Sequence, residues 1–237
     1  MQLNQIQIIL VETSHSGNIG SAARAMKTMG IGNLRLVAPK QSIDEQAIAL
    51  AAGAKDVLDN AQIYATFDEA IADCQLVIGT SARLRHLQNS LIEPRKCGEI
   101  TMQRAEQGKV AIVFGRERVG LTNEELLKCH YHLHFPTNPD YSSLNLAMAV
   151  QLACYEIRMA WLDLQNNPQI TPLADYPSAE ALEHFFQHTE QLYKKLGFIR
   201  NEAVMLKLRR LYQRAELETN ELNLLRGMLT AVEKYQR

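Results

Sequence analysis

Cysteine is scarce in the sequence, and the few cysteines are scattered. Cys74, Cys97, Cys129 and Cys154 include no C-x-x-C pair. This pattern favours reduced thiols in a cytosol over a disulfide framework or a zinc site with cysteine ligands.

Long apolar runs are also missing. No segment approaches the roughly 18 apolar residues that a membrane-spanning helix needs. The N-terminus, MQLNQI, lacks the basic region and the cleavage site of a signal peptide. These two absences predict a cytoplasmic protein that has no membrane partner.

A strong charge of one sign is absent, because the net charge of the 237 residues is −1. Any binding to nucleic acid must therefore come from local basic patches. The G-x-G-x-x-G fingerprint of dinucleotide-binding folds is missing as well. Length and composition suit one large domain, or one domain and a smaller one, with enough apolar residues for a core.

The first two-thirds of the chain alternate between strand-like and helix-like segments. Short runs rich in β-branched residues predict strands at 6–11, 34–37, 76–78, 110–114 and 131–135. Helical periodicity or capping boxes predict helices at 18–29, after Thr66, after Thr122 and over 143–164. Such alternation predicts an α/β fold, with a parallel sheet covered by helices on both faces.

The last third has a different character. Residues 165–178 contain three prolines and no periodicity, which indicates a linker between a catalytic domain at 1–164 and a helical domain at 179–237. Residues 194–214 carry seven Lys and Arg against one acid. A solvated helix face explains such a run about as often as any function does, but the excess in a nearly neutral protein favours a surface for RNA phosphates.

Three polar clusters lie at predicted ends of strands, where parallel sheets bind their ligands. The first is SHSGNIGSAARA, which contains Asn18 and Arg24. The second is GRERVGL, which places Glu117 between two arginines. The third is NPDYSSLNLAMAV, in which helix capping accounts for one serine but not for Ser142, Ser143 and Asn145 together.

In this order the three clusters resemble the signature motifs of the SPOUT (SpoU-type) RNA 2′-O-methyltransferases. The resemblance covers roughly residues 6–161, and VETSHSGNIGSAARAMKTMG and GRERVGLTNEE are similar to the bacterial tRNA (cytidine/uridine-2′-O)-methyltransferases that act at nucleotide 32 of the anticodon loop. The resemblance implies S-adenosylmethionine as methyl donor, a C-terminal trefoil knot in the catalytic domain, tRNA as substrate and a homodimer. We expect no metal, because the donor carries its own charge and the motifs lack a set of metal ligands.

The resemblance also implies roles for individual residues. The residues expected to take part in catalysis are Asn18, Arg24, Glu117, Ser143 and Asn145. The residues expected to bind the donor are Thr80, Ser81, Ala82, Gly115, Phe135, Ser142, Ser143 and Leu144. We expect Arg24 to form an ion pair with Glu117 and to position the acceptor ribose, because an arginine stays protonated far above neutral pH and is a poor base.

Two other groups of residues admit more than one interpretation. The residues expected to contact RNA are Arg83, Arg85, Lys207, Arg209, Arg210 and Arg214; for the first two, an ordinary surface loop is an equal alternative. Three histidines, His130, His132 and His134, share one face of a predicted strand, but a single strand rarely offers three ligands to one metal.

The rival functions are methylation of rRNA or of another tRNA position, and RNA binding without catalysis.

Overall fold

The computed structural model describes residues 2–81, 90–166 and 175–235. Within these ranges, seven strands form one sheet in the order β3-β2-β1-β6-β4-β7-β5, and all pairings are parallel. The strands are β1 Ile6–Val11, β2 Asn33–Val37, β3 Gln62–Tyr64, β4 Cys74–Thr80, β5 Ser90–Ile92, β6 Lys109–Phe114 and β7 Tyr131–Leu133. The predicted parallel α/β sheet is confirmed.

Helices cover both faces of the sheet. They are α1 Ser16–Thr28, α2 Glu45–Ala51, α3 Lys55–Asp59, α4 Phe67–Ile71, α5 Pro94–Arg104, α6 Asn123–Leu127 and α7 Leu146–Asn166. Alternate residues of β1 serve the two faces: Ile8 and Leu10 pack into the core beneath α1, α5 and α7, whereas Ile9 and Val11 pack into the core beneath α4 and α6. This two-sided burial explains why the strand sequence is apolar throughout.

The ends of several helices follow the signals in the sequence. Gly30 follows α1 with a φ of +82°, the left-handed conformation that glycine adopts most easily. Capping boxes open α4 at Thr66 and α6 at Thr122. Helix α7 begins at Leu146 and not at residue 143 as predicted, because Asn145 accepts hydrogen bonds from the amides of Ala147 and Met148 and so ends the preceding loop.

The sheet order bears on the expected knot. Strand β6 enters between β1 and β4, and β7 enters between β4 and β5, so the chain returns twice to the interior of a sheet whose other strands come earlier in the sequence. A trefoil knot at the C-terminal end of the domain needs such returns; the threading itself remains a prediction.

Three further helices form the predicted helical domain: α8 Ala179–Lys195, α9 Glu202–Ala215 and α10 Thr219–Tyr235. They enclose a core of their own around Phe185 and Phe186. The domain rests on the sheet, where the Glu180 amide donates to the Ala72 carbonyl at 3.2 Å and Glu216 binds Arg104 and the Tyr131 hydroxyl. The proposed linker and domain bounds remain predictions, and residues 167–174 lie outside the described ranges.

Across the described ranges, every helix is too short or too polar to traverse a lipid bilayer.

Candidate active site

A cavity of about 240 Å³ opens at the carboxyl ends of β4, β6 and β7. Three parts of the chain enclose it: the end of β4 with Ser81, the turn between β6 and α6, and the segment between β7 and α7. Seven residues expected to bind the donor line this cavity, namely Thr80, Ser81, Gly115, Phe135, Ser142, Ser143 and Leu144. The eighth, Ala82, lies outside the described residues.

Glu117 is the polar centre of this region. Its carboxylate accepts hydrogen bonds from the Ser14 amide at 3.1 and 3.2 Å, from the Ser14 hydroxyl at 3.0 Å and from Asn18 Nδ2 at 3.0 Å. Burial raises the pKa of Glu117, but the bonds from Asn18 and Ser14 outweigh burial and leave that pKa below its ordinary value. Glu117 is therefore an anion held by neutral donors.

The predicted ion pair between Arg24 and Glu117 is wrong. Within the described ranges, the exposed Arg24 side chain has no hydrogen-bond or ion-pair partner, and the bonds recorded to Glu117 come from Ser14 and Asn18. Arg24 is six residues after Asn18 on α1, about 9 Å further along the helix axis. Asn18, in the first turn, is the member of the motif that reaches the carboxylate.

Asn18 also links the first motif to the third. Its Oδ1 accepts a hydrogen bond from Asn145 Nδ2 at 3.0 Å, so Glu117, Asn18 and Asn145 form one continuous chain of hydrogen bonds. Ser143 is exposed in the loop before α7 and lines the cavity without belonging to that chain. The structure thus brings together Asn18, Glu117, Ser143 and Asn145 and leaves Arg24 apart.

Arg116 holds the turn after β6 in place. Its guanidinium binds Glu12, which follows β1, and both carboxylate oxygens of Glu125 in α6, at 2.9 and 3.1 Å. Hydrogen bonds from Arg116 and Lys40 lower the pKa of Glu12 to about 2. No role for Ser14, Glu12 or Arg116 was predicted from the sequence; Glu125, at the end of GRERVGLTNEE, was the available signal for Arg116.

Gly115 packs closely against the backbone of its own turn. A Cβ at this position would lie 2.2 Å from the Gly120 carbonyl carbon and from the Leu121 amide nitrogen. The turn closes on itself through an antiparallel bridge between Arg116 and Gly120, and Gly120 has a φ of +70°. Glycine at 115 is thus required by the approach of the protein's own backbone.

The three histidines near β7 bind backbone groups. His130 Nδ1 accepts from the Val77 amide at 3.1 Å, His132 Nε2 lies 3.0 Å from the Leu126 carbonyl oxygen, and His134 Nδ1 lies 3.2 Å from that of Ser81. No cluster of three or more metal-binding side chains occurs in the described part of the chain.

The residues expected to contact RNA fall into three groups. Arg83 and Arg85 lie outside the described residues. Lys207, Arg210 and Arg214 follow one another at three- and four-residue steps along α9, which places them on one face. Arg209 is turned away from that face, because it binds both carboxylate oxygens of Glu183 at 2.5 and 2.7 Å and stacks over Phe186; its contact with RNA remains a prediction.

Comparison with known proteins places this geometry among RNA methyltransferases. The model of the SpoU rRNA methylase family matches residues 5–155, and the model of the TrmJ C-terminal domain, from a tRNA methyltransferase, matches residues 180–237. A tRNA (cytidine/uridine-2′-O-)-methyltransferase TrmJ from Sodalis glossinidius is 57% identical, over 99% of this chain and 94% of its own.

Two further similarities extend over nearly the whole chain. A tRNA/rRNA methyltransferase from Haemophilus influenzae, itself uncharacterized, is 64% identical over 98% of this chain and 96% of its own. The crystal structure of TrmJ from Z. mobilis superposes with a TM-score of 0.82 at 34% identity, covering 96% of this chain and 98% of the other.

Proposed function

The chain belongs to the SpoU methylase family, and from that premise we propose that it methylates the 2′-hydroxyl of a cytidine or uridine in tRNA, at nucleotide 32 of the anticodon loop. The methyl donor is S-adenosylmethionine. The observation that carries the proposal is the hydrogen-bond chain from Glu117 through Asn18 to Asn145 at the rim of the cavity. It joins all three motifs beside one ligand-sized pocket.

The lining of the cavity fits the donor. Phe135, Leu121 and Leu144 offer apolar walls to an adenine, and Thr80 and Ser81 offer polar groups to a ribose. Glu117 adds a negative charge that suits a sulfonium cation. When bound, the donor supplies an activated methyl group on sulfur, and the residues named here hold and orient it.

The acceptor side uses the remaining motif residues. Ser143 is exposed at the cavity wall and can donate a hydrogen bond to the acceptor ribose. Asn145 and Asn18 hold Glu117 and the loop before α7 in a fixed geometry, and such preorganised polar groups lower the barrier to transfer. Arg24 is exposed on α1 and offers a cation to the RNA backbone.

The helical domain supplies affinity for tRNA in this proposal. Lys207 and Arg214 are exposed on α9, and Arg210 shares their face. Phosphate contacts of this kind contribute a binding term that weakens as salt rises. A triple substitution of these residues by glutamine should weaken tRNA binding and leave binding of S-adenosylhomocysteine unchanged.

We further propose that the protein is a homodimer through α7. Met148, Leu152 and Tyr155 are 63%, 43% and 45% exposed, and their spacing places them on one face of that helix. The opposite face, with Val150, Cys154 and Ile157, is buried in the core. A second copy of the chain is the occupant that the family resemblance implies for the exposed face.

The decisive experiment combines labelled S-adenosylmethionine with tRNA transcripts and maps the methylated nucleotide. We expect a 2′-O-methyl group at position 32 and none when position 32 is replaced by its 2′-deoxy form. Glu117→Gln should reduce the rate strongly, whereas Glu124→Gln, an exposed acid on α6, should not. Methylation of rRNA but not tRNA would favour the rival substrate, and transfer to neither would refute the activity.

A further inference from the structure

Arg118 differs from its two charged neighbours in the turn after β6. Arg116 is neutralised by Glu12 and Glu125, and Glu117 is occupied by Ser14 and Asn18. Arg118 is exposed, lines the cavity, and has no hydrogen-bond or ion-pair partner within residues 2–81, 90–166 and 175–235. An unpaired guanidinium at the rim of this site is available to a ligand.

The backbone that carries Arg118 is held on both sides. The Gly120 amide donates to the Arg116 carbonyl at 2.8 Å, and Arg116 and Gly120 pair across the turn. The Arg116 side chain also connects the turn to Glu12 and to α6 through hydrogen bonds. A side chain on a closed and anchored turn loses less conformational entropy when it binds a ligand.

Charge decides which ligand suits this position. The methyl donor carries a sulfonium and an ammonium cation against one carboxylate, so its net charge is positive and an unpaired arginine does not attract it overall. The acceptor RNA carries one negative charge per nucleotide. A guanidinium also presents two parallel N–H groups that match the oxygens of a phosphate.

We propose that Arg118 binds a backbone phosphate of the acceptor nucleotide and so places the ribose beside the donor pocket. The inference deepens the proposed function and rests on it, since it assumes an RNA acceptor at this cavity. Arg118 then positions the RNA at the methyl-transfer site, whereas Lys207, Arg210 and Arg214 on α9 supply affinity for tRNA.

The test measures binding of tRNA transcript and of S-adenosylhomocysteine to the full-length wild-type protein, Arg118→Gln and Arg118→Lys over a series of salt concentrations. We expect Arg118→Gln to bind tRNA roughly tenfold more weakly, as for loss of a hydrogen bond to a charged group. In a plot of the logarithm of the tRNA binding constant against the logarithm of the salt concentration, the slope should become shallower by about 0.7 to 0.9, as for one lost phosphate contact. Arg118→Lys should recover the slope but only part of the affinity. The control is Lys55→Gln, on α3.

Three outcomes are informative. Unchanged tRNA affinity and salt slope in Arg118→Gln would overturn the proposal. Weaker binding of S-adenosylhomocysteine at unchanged tRNA binding would assign Arg118 to the donor carboxylate and overturn it as well. Because these are binding measurements on variants, they can fail while the wild-type protein still methylates tRNA; a wild-type protein that neither binds nor methylates tRNA would refute both proposals.

Discussion

Glu117 takes its hydrogen bonds from Ser14 and Asn18, which belong to the segment that leads from β1 into α1. These neutral donors fix the carboxylate and leave its negative charge directed to the cavity. The residue types and the order of the motifs could be predicted from the sequence. The identity of the partner could not, because it depends on which turn of α1 reaches the β6 turn.

This arrangement makes a prediction about energetic coupling. In urea denaturation, Glu117→Gln and Asn18→Ala should be non-additive by about 0.5 to 3 kcal/mol, as is typical of residues in one hydrogen-bond network. Glu117→Gln and Arg24→Ala should add to within about 0.5 kcal/mol, because no contact joins them. Coupling of Arg24 to Glu117 as strong as that of Asn18 would contradict the observed pairing.

The three histidines in and beside β7 lead to a second prediction at this scale. Each has a ring nitrogen directed at a backbone group, and none of the three shares a ligand set with other described residues. Treatment with a chelator followed by desalting should therefore leave the rate of methyl transfer unchanged. Loss of activity that zinc restores would show that the protein requires a metal.

At the scale of elements, the structure depends on how the turn after β6 is joined to its neighbours. Arg116 connects this turn to two of them, the residue after β1 and the capping box of α6. Its guanidinium and the two carboxylates are mostly buried, with 21%, 26% and 12% of the side chains exposed. The hydrogen bonds that Arg116 donates to Glu125, and also to Glu12, raise the pKa of Arg116.

Removal of this link should therefore act on stability and on donor binding together. We expect Arg116→Met to lower the free energy of unfolding by about 2 kcal/mol, because Glu12 and Glu125 lose a charged hydrogen-bond partner. Binding of S-adenosylhomocysteine should weaken as well, because Gly115 and Leu121 line the cavity from the same turn. Urea denaturation and calorimetric titration measure the two effects; Lys55→Met, in an exposed ion pair, should change neither.

Elements with strong patterns were predicted, and those without them were missed. The apolar strands β1, β2, β4 and β6 and the helices α1 and α7 were visible in the sequence. Strand β3 is only three residues long with an exposed pattern, and it lies at the sheet edge. Helix α5 buries Thr101 and Arg104 beside Cys97, so its inner face has no regular apolar period. Such elements are set by tertiary contacts more than by local pattern.

At the scale of the whole molecule, the proposed dimer can be tested through α7. Leu152→Lys places a charge in the exposed apolar face and should convert a dimer into a monomer, as measured by size-exclusion chromatography with light scattering. Ile63→Lys is a matched control, because Ile63 is a 66% exposed apolar residue on β3. A wild-type monomer, or a dimer that persists in Leu152→Lys, would refute this interface.

The contact between the two domains leads to a prediction about pH. His130 lies between the sheet and the helical domain, next to Leu182 and Gln213. Burial and, to a lesser extent, the nearby Arg104 guanidinium lower its pKa to about 4, against the opposing effect of the hydrogen bond from the Val77 amide. Folded His130 is therefore neutral at pH values where the unfolded chain is protonated at this residue.

Proton linkage gives the direction in which the stability of the protein changes with pH. Between pH 6.5 and about 4 the unfolded chain binds a proton that folded His130 does not, so stability decreases as the pH falls through this window and the effect levels off below it. The total loss of unfolding free energy from this residue is at most about 3 kcal/mol. His130→Gln should keep an acceptor for the Val77 amide and remove this titration. Other acidic and basic groups titrate alike in the wild-type protein and in His130→Gln. The difference between the unfolding free energies of these two proteins, measured at pH 7 and at pH 4, therefore isolates the contribution of His130. An identical pH dependence in the two proteins would contradict the lowered pKa of His130.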